Sequence, residues 1–311
     1  MITRSREAAR SRFLPVSGFE EKAYGVDPRL LRRATDKCAS GYLSEIPDLI
    51  AERLFERLVL LKLQPQRILD VGAGNARHAA RLKALYPKAM VVNVDISLAM
   101  LQQAERGRFW QRKPLRVCAD ASVALPFADG SFDLVLSNLM VPWIYPPDTF
   151  ASEVNRLLAP DAAFFVSSVG PDTLTELREA WAVIDSATHI NAMLDMHDLG
   201  DVFLRAGIAD PVMDAERLQL DYSSVETLLQ ELIGLGATNT LTGRRRGLTA
   251  GGVRQRLAAV YPVNEHGGVT ATLEVVYAHG WKGQPRSGKN SPDEFLISID
   301  SLKMPAKRGV R

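Results

Sequence analysis

The sequence predicts an α/β fold in which a doubly wound, mostly parallel sheet is covered by helices on both faces. Three observations lead there. Short apolar runs alternate with segments of helical periodicity, the runs are apolar throughout rather than at every second residue, and the first of them leads into a tight glycine turn. Strands hidden on both faces lose the in–out alternation of half-buried ones. Right-handed crossovers then distribute the intervening helices over the two faces.

The elements follow in order. Ile46, Leu49, Ile50, Leu54, Leu58 and Leu61 recur at spacings of three and four, which predicts an amphipathic helix over 46–61. Strands are expected at 67–71 (RILDV), 90–95 (MVVNVD), 115–119 (LRVCA), 133–137 (DLVLS) and 162–168 (AAFFVSS), with helices near 76–86, 98–106 and 148–158 between them. Beyond Ser168 the pattern loosens into helices near 173–185, 197–206, 224–234 and 250–260, with strand-like runs at 218–223 and 269–277. Those last two runs predict an antiparallel pair at the sheet edge with a helical insertion between them, making seven strands in all.

Composition narrows the class. With 311 residues, 46% hydrophobic and 24% charged, the chain can bury a large core without cross-links and is neither disordered nor repeat-built. Cys38 and Cys118 lie in unlike contexts, so no disulfide framework or Cys-rich zinc site is expected, and none of the five histidines has metal or dyad spacing. All five are expected to be structural. The net charge of +2 is unevenly spread: residues 1–12 carry +3, residues 303–311 carry +4, and the body between them holds −5. Nucleic-acid binding over the whole fold is therefore not expected. No run approaches the roughly 18 apolar residues of a membrane span, and the N-terminus has no apolar segment of a secretory signal. Its arginines suit either a loose tail or an organellar transit peptide.

The chemistry concentrates at the turn Asp70-Val71-Gly72-Ala73-Gly74-Asn75-Ala76, at the carboxyl edge of the first strand, where ligands of open α/β sheets bind. Gly72 and Gly74 let the backbone turn sharply and approach a ligand closely. A dinucleotide fingerprint needs a small residue three positions after its second glycine, and Arg77 stands there instead. Asp70 would repel a pyrophosphate but suits a ligand bearing an ammonium and a sulfonium. Asp95, 25 residues on, ends the second strand where an acid can accept both ribose hydroxyls; the plainer alternative is a helix cap shared with Ser97. Asp120 follows the third strand, either to hold an adenine amino group or simply to close the strand.

The runs LDVGAGNA, VDIS and CADASVALPFADGSFDLVLSN resemble the Rossmann-like class I S-adenosylmethionine-dependent methyltransferases over about residues 65–168. That resemblance implies S-adenosyl-L-methionine as cofactor and assigns Asp70, Gly72, Gly74, Asp95 and Asp120 to its binding. Further along, Asp27-Pro28-Arg29, Ser137-Asn138-Leu139-Met140 with Trp143, Gly170-Pro171-Asp172-Thr173-Leu174, Asp195-Met196-His197-Asp198-Leu199-Gly200, Gly236-Ala237-Thr238-Asn239, Arg244-Arg245-Arg246-Gly247-Leu248-Thr249 and Glu274-Val275-Val276-Tyr277 resemble the malonyl-acyl-carrier-protein O-methyltransferases of biotin synthesis, across about residues 27–282. The implied reaction is methyl transfer to the free carboxylate of a malonyl thioester on acyl carrier protein, in the cytoplasm. A carboxylate, with a pKa of about 4, is already an ionised nucleophile and needs no general base. A cation should orient it, and Arg178, Arg244, Arg245 and Arg246 are the candidates. The Arg244–Arg246 cluster could instead steer an acidic carrier protein, or be a solvated loop. Tyr42 matches an aromatic of the family's lid and Trp143 could face the sulfonium, though either could equally be core.

Three departures from the family stand out: Thr35 where relatives have phenylalanine, Pro142 where they have a polar residue, and Pro160-Asp161-Ala162 where they have Pro-Gly-Gly. The resemblance implies a tail and helical lid over 1–45, a methyltransferase domain over 46–282 with its cofactor half at 65–168 and a substrate-side insertion at about 171–260, and a basic tail over 283–311. The C-terminal half also resembles respiratory complex I assembly factors, which implies the same cofactor, modification of an arginine on a partner protein and a mitochondrial location. A third possibility is a binding module on a retained methyltransferase scaffold, since fold does not fix activity.

Overall fold

The computed structural model describes residues 25–104, 114–245 and 251–283. Both basic tails lie outside this set. Helix α1 (Pro28–Cys38) starts on Asp27, whose side chain accepts from Arg29 N and Leu30 N, with Pro28 in the first turn. Helix α2 (Glu45–Leu60) leads into β1 (Arg67–Val71), and then follow α3 (His78–Leu85), β2 (Met90–Asp95), α4 (Leu98–Gln102), β3 (Leu115–Cys118), β4 (Phe132–Asn138), α5 (Pro147–Leu157) and β5 (Leu158–Val169). The remainder runs α6 (Thr175–Ile184), α7 (Met196–Arg205), β6 (Ile208–Tyr222), α8 (Val225–Gly234), α9 (Val253–Val260) and β7 (Val269–Lys282).

These strands form one seven-stranded sheet in the order β3-β2-β1-β4-β5-β7-β6. The first five are parallel; β7 runs antiparallel to both β5 and β6. The expected doubly wound sheet and edge pair are therefore present, with β7 on the inner side of the pair. Consecutive residues feed opposite layers: Leu69 and Phe164 enter the core beside α5 and α7, whereas Ile68 and Phe165 enter the core beside α2 and α3. That two-sided burial is why the parallel strands read as unbroken apolar runs. A third, smaller core of Leu177, Val225, Leu228, Leu257 and Tyr261 holds the inserted helices together.

One strand is much longer than expected. β6 begins at Ile208 rather than 218, because its first ten residues are half-buried and include Asp210, Pro211, Asp214, Glu216 and Arg217. An edge strand tolerates proline, and here the register shifts between Ala209 and Val212, beside Pro211. β5 also starts early, at Leu158, and its Asp161 adopts φ 59°, a left-handed conformation that favours glycine. On the far side of the sheet, α2 is fixed to β6 and β7 by charge. Arg53 pairs with Glu216, which accepts from the Tyr277 hydroxyl at 2.6 Å, while the Arg57 guanidinium lies 3.9 Å from the centre of the Tyr277 ring.

Phe165 is fully buried between the sheet and α2. Replacing it with alanine should lower unfolding stability by about 3–5 kcal/mol. The urea midpoint should fall with an unchanged slope.

Candidate active site

The carboxyl edge of the parallel strands opens into a cavity of about 540 Å³. Its floor is the turn after β1. Gly72 N and Ala73 N both donate to the Val94 carbonyl, at 2.8 and 2.9 Å, which pins the turn to β2. Gly72 has φ 74°, and a Cβ added there would lie 2.7 Å from Met140 Cβ, so an alanine would be both strained and crowded.

Asp95 closes the arrangement from β2. Its Oδ2 accepts from Gly74 N and its Oδ1 from Ser97 N, each at 2.8 Å. Ser97 in turn caps α4 by accepting from Met100 N at 3.0 Å and donates to Asp36 of α1 at 2.5 Å. Asp95 and Ser97 thus share the cap while Asp95 also lines the cavity. Burial pushes the Asp95 carboxyl up, and the two amide donors partly offset this. Asp120 lines the same cavity, its Oδ1 accepting from Ser122 N and Oγ at 2.9 and 2.7 Å.

Asp70 lies beneath the turn rather than in the cavity wall. It is fully buried, both oxygens lack a hydrogen-bond donor among the described residues, and desolvation raises its pKa to about 6. Acids under and beside a glycine turn fit a ligand with an ammonium, a ribose diol and an exocyclic amine; they would repel a pyrophosphate. The residues therefore suit S-adenosylmethionine.

The roof comes from α1 and the insertion. Asp27 N donates to Thr240 O at 2.9 Å, Val26 and Leu241 form a β-bridge, and Leu43 N donates to Gly234 O at 3.3 Å. The Gly236-Ala237-Thr238-Asn239 run lines the cavity there, along with Thr35, Tyr42, Pro142 and Trp143. Burial raises the Tyr42 phenol well above its usual range, so its hydroxyl stays protonated. Arg77, the residue that breaks the dinucleotide pattern, reaches away from the helix–strand contact to Ser44 Oγ at 2.5 Å and to Asp48 at 3.2 Å.

The candidate arginines are dispersed. Arg178 donates to the carbonyls of Pro171 and Thr173 at 3.1 and 3.3 Å, outside the cavity wall. Arg244 and Arg245 line a second, adjacent cavity of about 320 Å³. Arg246 lies outside the described residues. Two histidines expected to be purely structural stand in the main wall: His78, 3.5 Å from Asp48, and His189, stacked on Trp181 and 2.7 Å from Asp185. Arg254 is there as well, paired with Glu226 at 2.8 Å. None of these three lies in a recognisable motif, and the i, i+4 pair of Asp185 and His189 corrects the expectation that no histidine is spaced to pair with an acid. Among the described residues no group of three or more His, Cys, Asp or Glu side chains could hold a metal, and no helix is long and apolar enough to cross a membrane.

Strand order, glycine turn and the paired acids define a class I S-adenosylmethionine-dependent methyltransferase. Residues 69–166 match the family model described as a methyltransferase domain. The chain is 38% identical over 283 residues to the malonyl-[acyl-carrier protein] O-methyltransferase of Laribacter hongkongensis, covering 88% of this chain and 95% of that one. It is 41% identical over 275 residues to the protein of the same name from Gallionella capsiferriformans, covering 85% and 94%. The chain belongs to the malonyl-[acyl-carrier protein] O-methyltransferase family. These names agree with the first resemblance and lend none to the complex I assembly factors. In fold alone it is similar to the solved YcgJ protein of Bacillus subtilis, with a TM-score of 0.55 and 17% identity over 76% of this chain and all of that one.

The state of Asp70 gives a pH test. An acid whose pKa is raised from 3.8 to about 6 holds its proton more tightly when folded, so its contribution is intact below pH 3.8 and lost as pH rises through 6. The loss is about 3 kcal/mol. In chemical denaturation of the ligand-free protein, Asp70→Asn should gain about that much relative to wild type between pH 4 and pH 7; a constant difference would contradict the buried, unpaired carboxylate.

Proposed function

We propose that this protein transfers the methyl group of S-adenosylmethionine to the free carboxylate of a malonyl group carried on acyl carrier protein. The observation that carries the reading is its 38–41% identity, over 85–88% of its length, to proteins of that name. The cavity above the glycine turn is compatible with it. The cofactor supplies an electrophilic methyl. Asp95 and Asp120 would hold the nucleoside from the β2 and β3 ends, Gly72 and Gly74 would admit the amino-acid portion, and Asp70 would act on it from beneath the turn. The lid and cofactor half would correspond to the segments up to 45 and 65–168, and the substrate side to the insertion at about 171–260.

The protein's own task is positional. The acceptor carboxylate is ionised at neutral pH, so no side chain has to remove a proton. Holding acceptor and donor in line in a site shielded from water can supply roughly 7–11 kcal/mol of the barrier reduction. Tyr42, protonated and half-buried in the roof, can donate a hydrogen bond and so orient an acceptor oxygen. Methylation removes the negative end of the acyl group, which suits it for fatty-acid-type elongation on the route to biotin.

Incubating the full chain with malonyl-acyl carrier protein and S-adenosylmethionine should add one methyl mass to the malonyl-carrier. An unchanged carrier mass would overturn the reading.

The two histidines of the wall give a second test. A general base contributes roughly 10²–10⁴-fold. His78→Gln and His189→Gln should each keep kcat within about tenfold of wild type, because the acceptor needs no base.

A further inference from the structure

The second cavity carries a different charge from the rest of the molecule. It shares Trp181, His189, Asn239 and Val253 with the main cavity, so a ligand can extend from one into the other along a common wall. Three arginines line it: Arg244, Arg245 and Arg256. Against them stands one carboxylate, Asp185, whose Oδ1 is already taken by His189 at 2.7 Å and Ala187 N at 2.9 Å. Arg245 meets Asp185 only loosely, at 3.7 Å, Arg244 donates to the Leu241 carbonyl at 3.1 Å, and Arg256 has no side-chain acceptor among the described residues. A cavity with this many unused guanidinium donors is chemically matched to a phosphate, whose oxygens accept several charge-assisted bonds at once.

The position argues for the far end of the substrate rather than its reacting end. The carboxylate to be methylated must come to the glycine turn, whereas Arg244 and Arg245 line only the outer cavity. A malonyl thioester, whether on a carrier protein or on coenzyme A, hangs from a pantetheine arm whose other end is a phosphate. We propose that Arg245 and Arg256, with Arg244 beside them, form the site that binds this phosphate and fixes how far the arm enters. The proposal rests on the methyltransfer reading and deepens it. It gives the arginine cluster a role distinct from carboxylate binding and from long-range steering.

Calorimetric titration of the full chain with 4′-phosphopantetheine and with pantetheine tests the site without turnover. Wild type should bind the phosphorylated compound at least tenfold more tightly, and Arg256→Ala and Arg245→Ala should each remove most of that preference. Equal binding of the two by wild type, or an unchanged preference in both variants, overturns the proposal. A kinetic arm separates the sources of the phosphate. With malonyl-carrier protein, malonyl-coenzyme A and phosphate-free malonyl-pantetheine as acceptors, Arg256→Ala should raise KM for the phosphorylated acceptors by tenfold or more at unchanged kcat. A rise for the carrier alone, or for coenzyme A alone, identifies which source the site serves. An equal loss with malonyl-pantetheine would instead mark a structural effect and sink the proposal. Absence of methyl transfer to any acceptor, with the phosphate preference intact, would overturn the methyltransfer reading and not the phosphate site.

Discussion

The site depends on one backbone constraint: the amides of Gly72 and Ala73 both converge on the carbonyl of Val94. That shared acceptor holds the turn after β1 against the end of β2, and the Gly74 amide then falls to Asp95 Oδ2. Only residues free to take positive φ can follow this path, as Gly72 at 74° and Gly74 at 55° do. The turn, Asp95 and the α4 cap are thus one hydrogen-bonded unit. A side chain at Gly72 would meet Met140 and disturb all three.

This unit is negatively charged in a place water reaches poorly. Asp70 and Asp95 are both buried, both have raised pKa values, and each raises or is raised by a neighbouring acid: Asp95 acts on Asp70, and Asp36 of the lid acts on Asp95. Burying like charges opposes folding of the empty protein. A ligand that brings an ammonium, a sulfonium and hydrogen-bond donors would offset that cost. The same field disfavours a nucleotide with a pyrophosphate. The acids therefore favour a cationic ligand over an anionic one, and Arg77 ties the start of α3 to Ser44 and Asp48.

Much of this was legible in the residues. β1, β2 and β4 are buried on both sides, and such strands leave continuous apolar runs that need no partner to be recognised. The glycine turn and its acids sit within a few residues of those strands, so their spacing exposes them. What did not show was anything that depends on distant segments meeting. The first ten residues of β6 are an edge strand with polar residues on its open face, indistinguishable by composition from a loop. His78, His189 and Arg254 reach the cavity wall only because α3, the loop after α6 and α9 are brought together by the fold. Arg178 looked equivalent to Arg244 and Arg245 in sequence, but its guanidinium is occupied by the carbonyls of its own turn.

The segment around α1 and the inserted helices share more than a boundary. The Asp27–Thr240 and Leu43–Gly234 backbone bonds, the Val26–Leu241 bridge, and the close approach of Gly234 to Leu43 and of Gly236 to Cys38 join them along one seam. A Cβ at Gly236 would lie 3.1 Å from Cys38 Sγ, and φ there is 73°, so the seam itself requires glycine. Helix α1 is also held at its other side by Asp36 on Ser97, next to Asp95. The segment around α1 is therefore bonded to the cavity floor through Asp36 and to the insertion through Asp27 and Leu43, which flank the helix. Any displacement of α1 must loosen both. The floor and the roof of the cavity are therefore held through one continuous segment, residues 26–43.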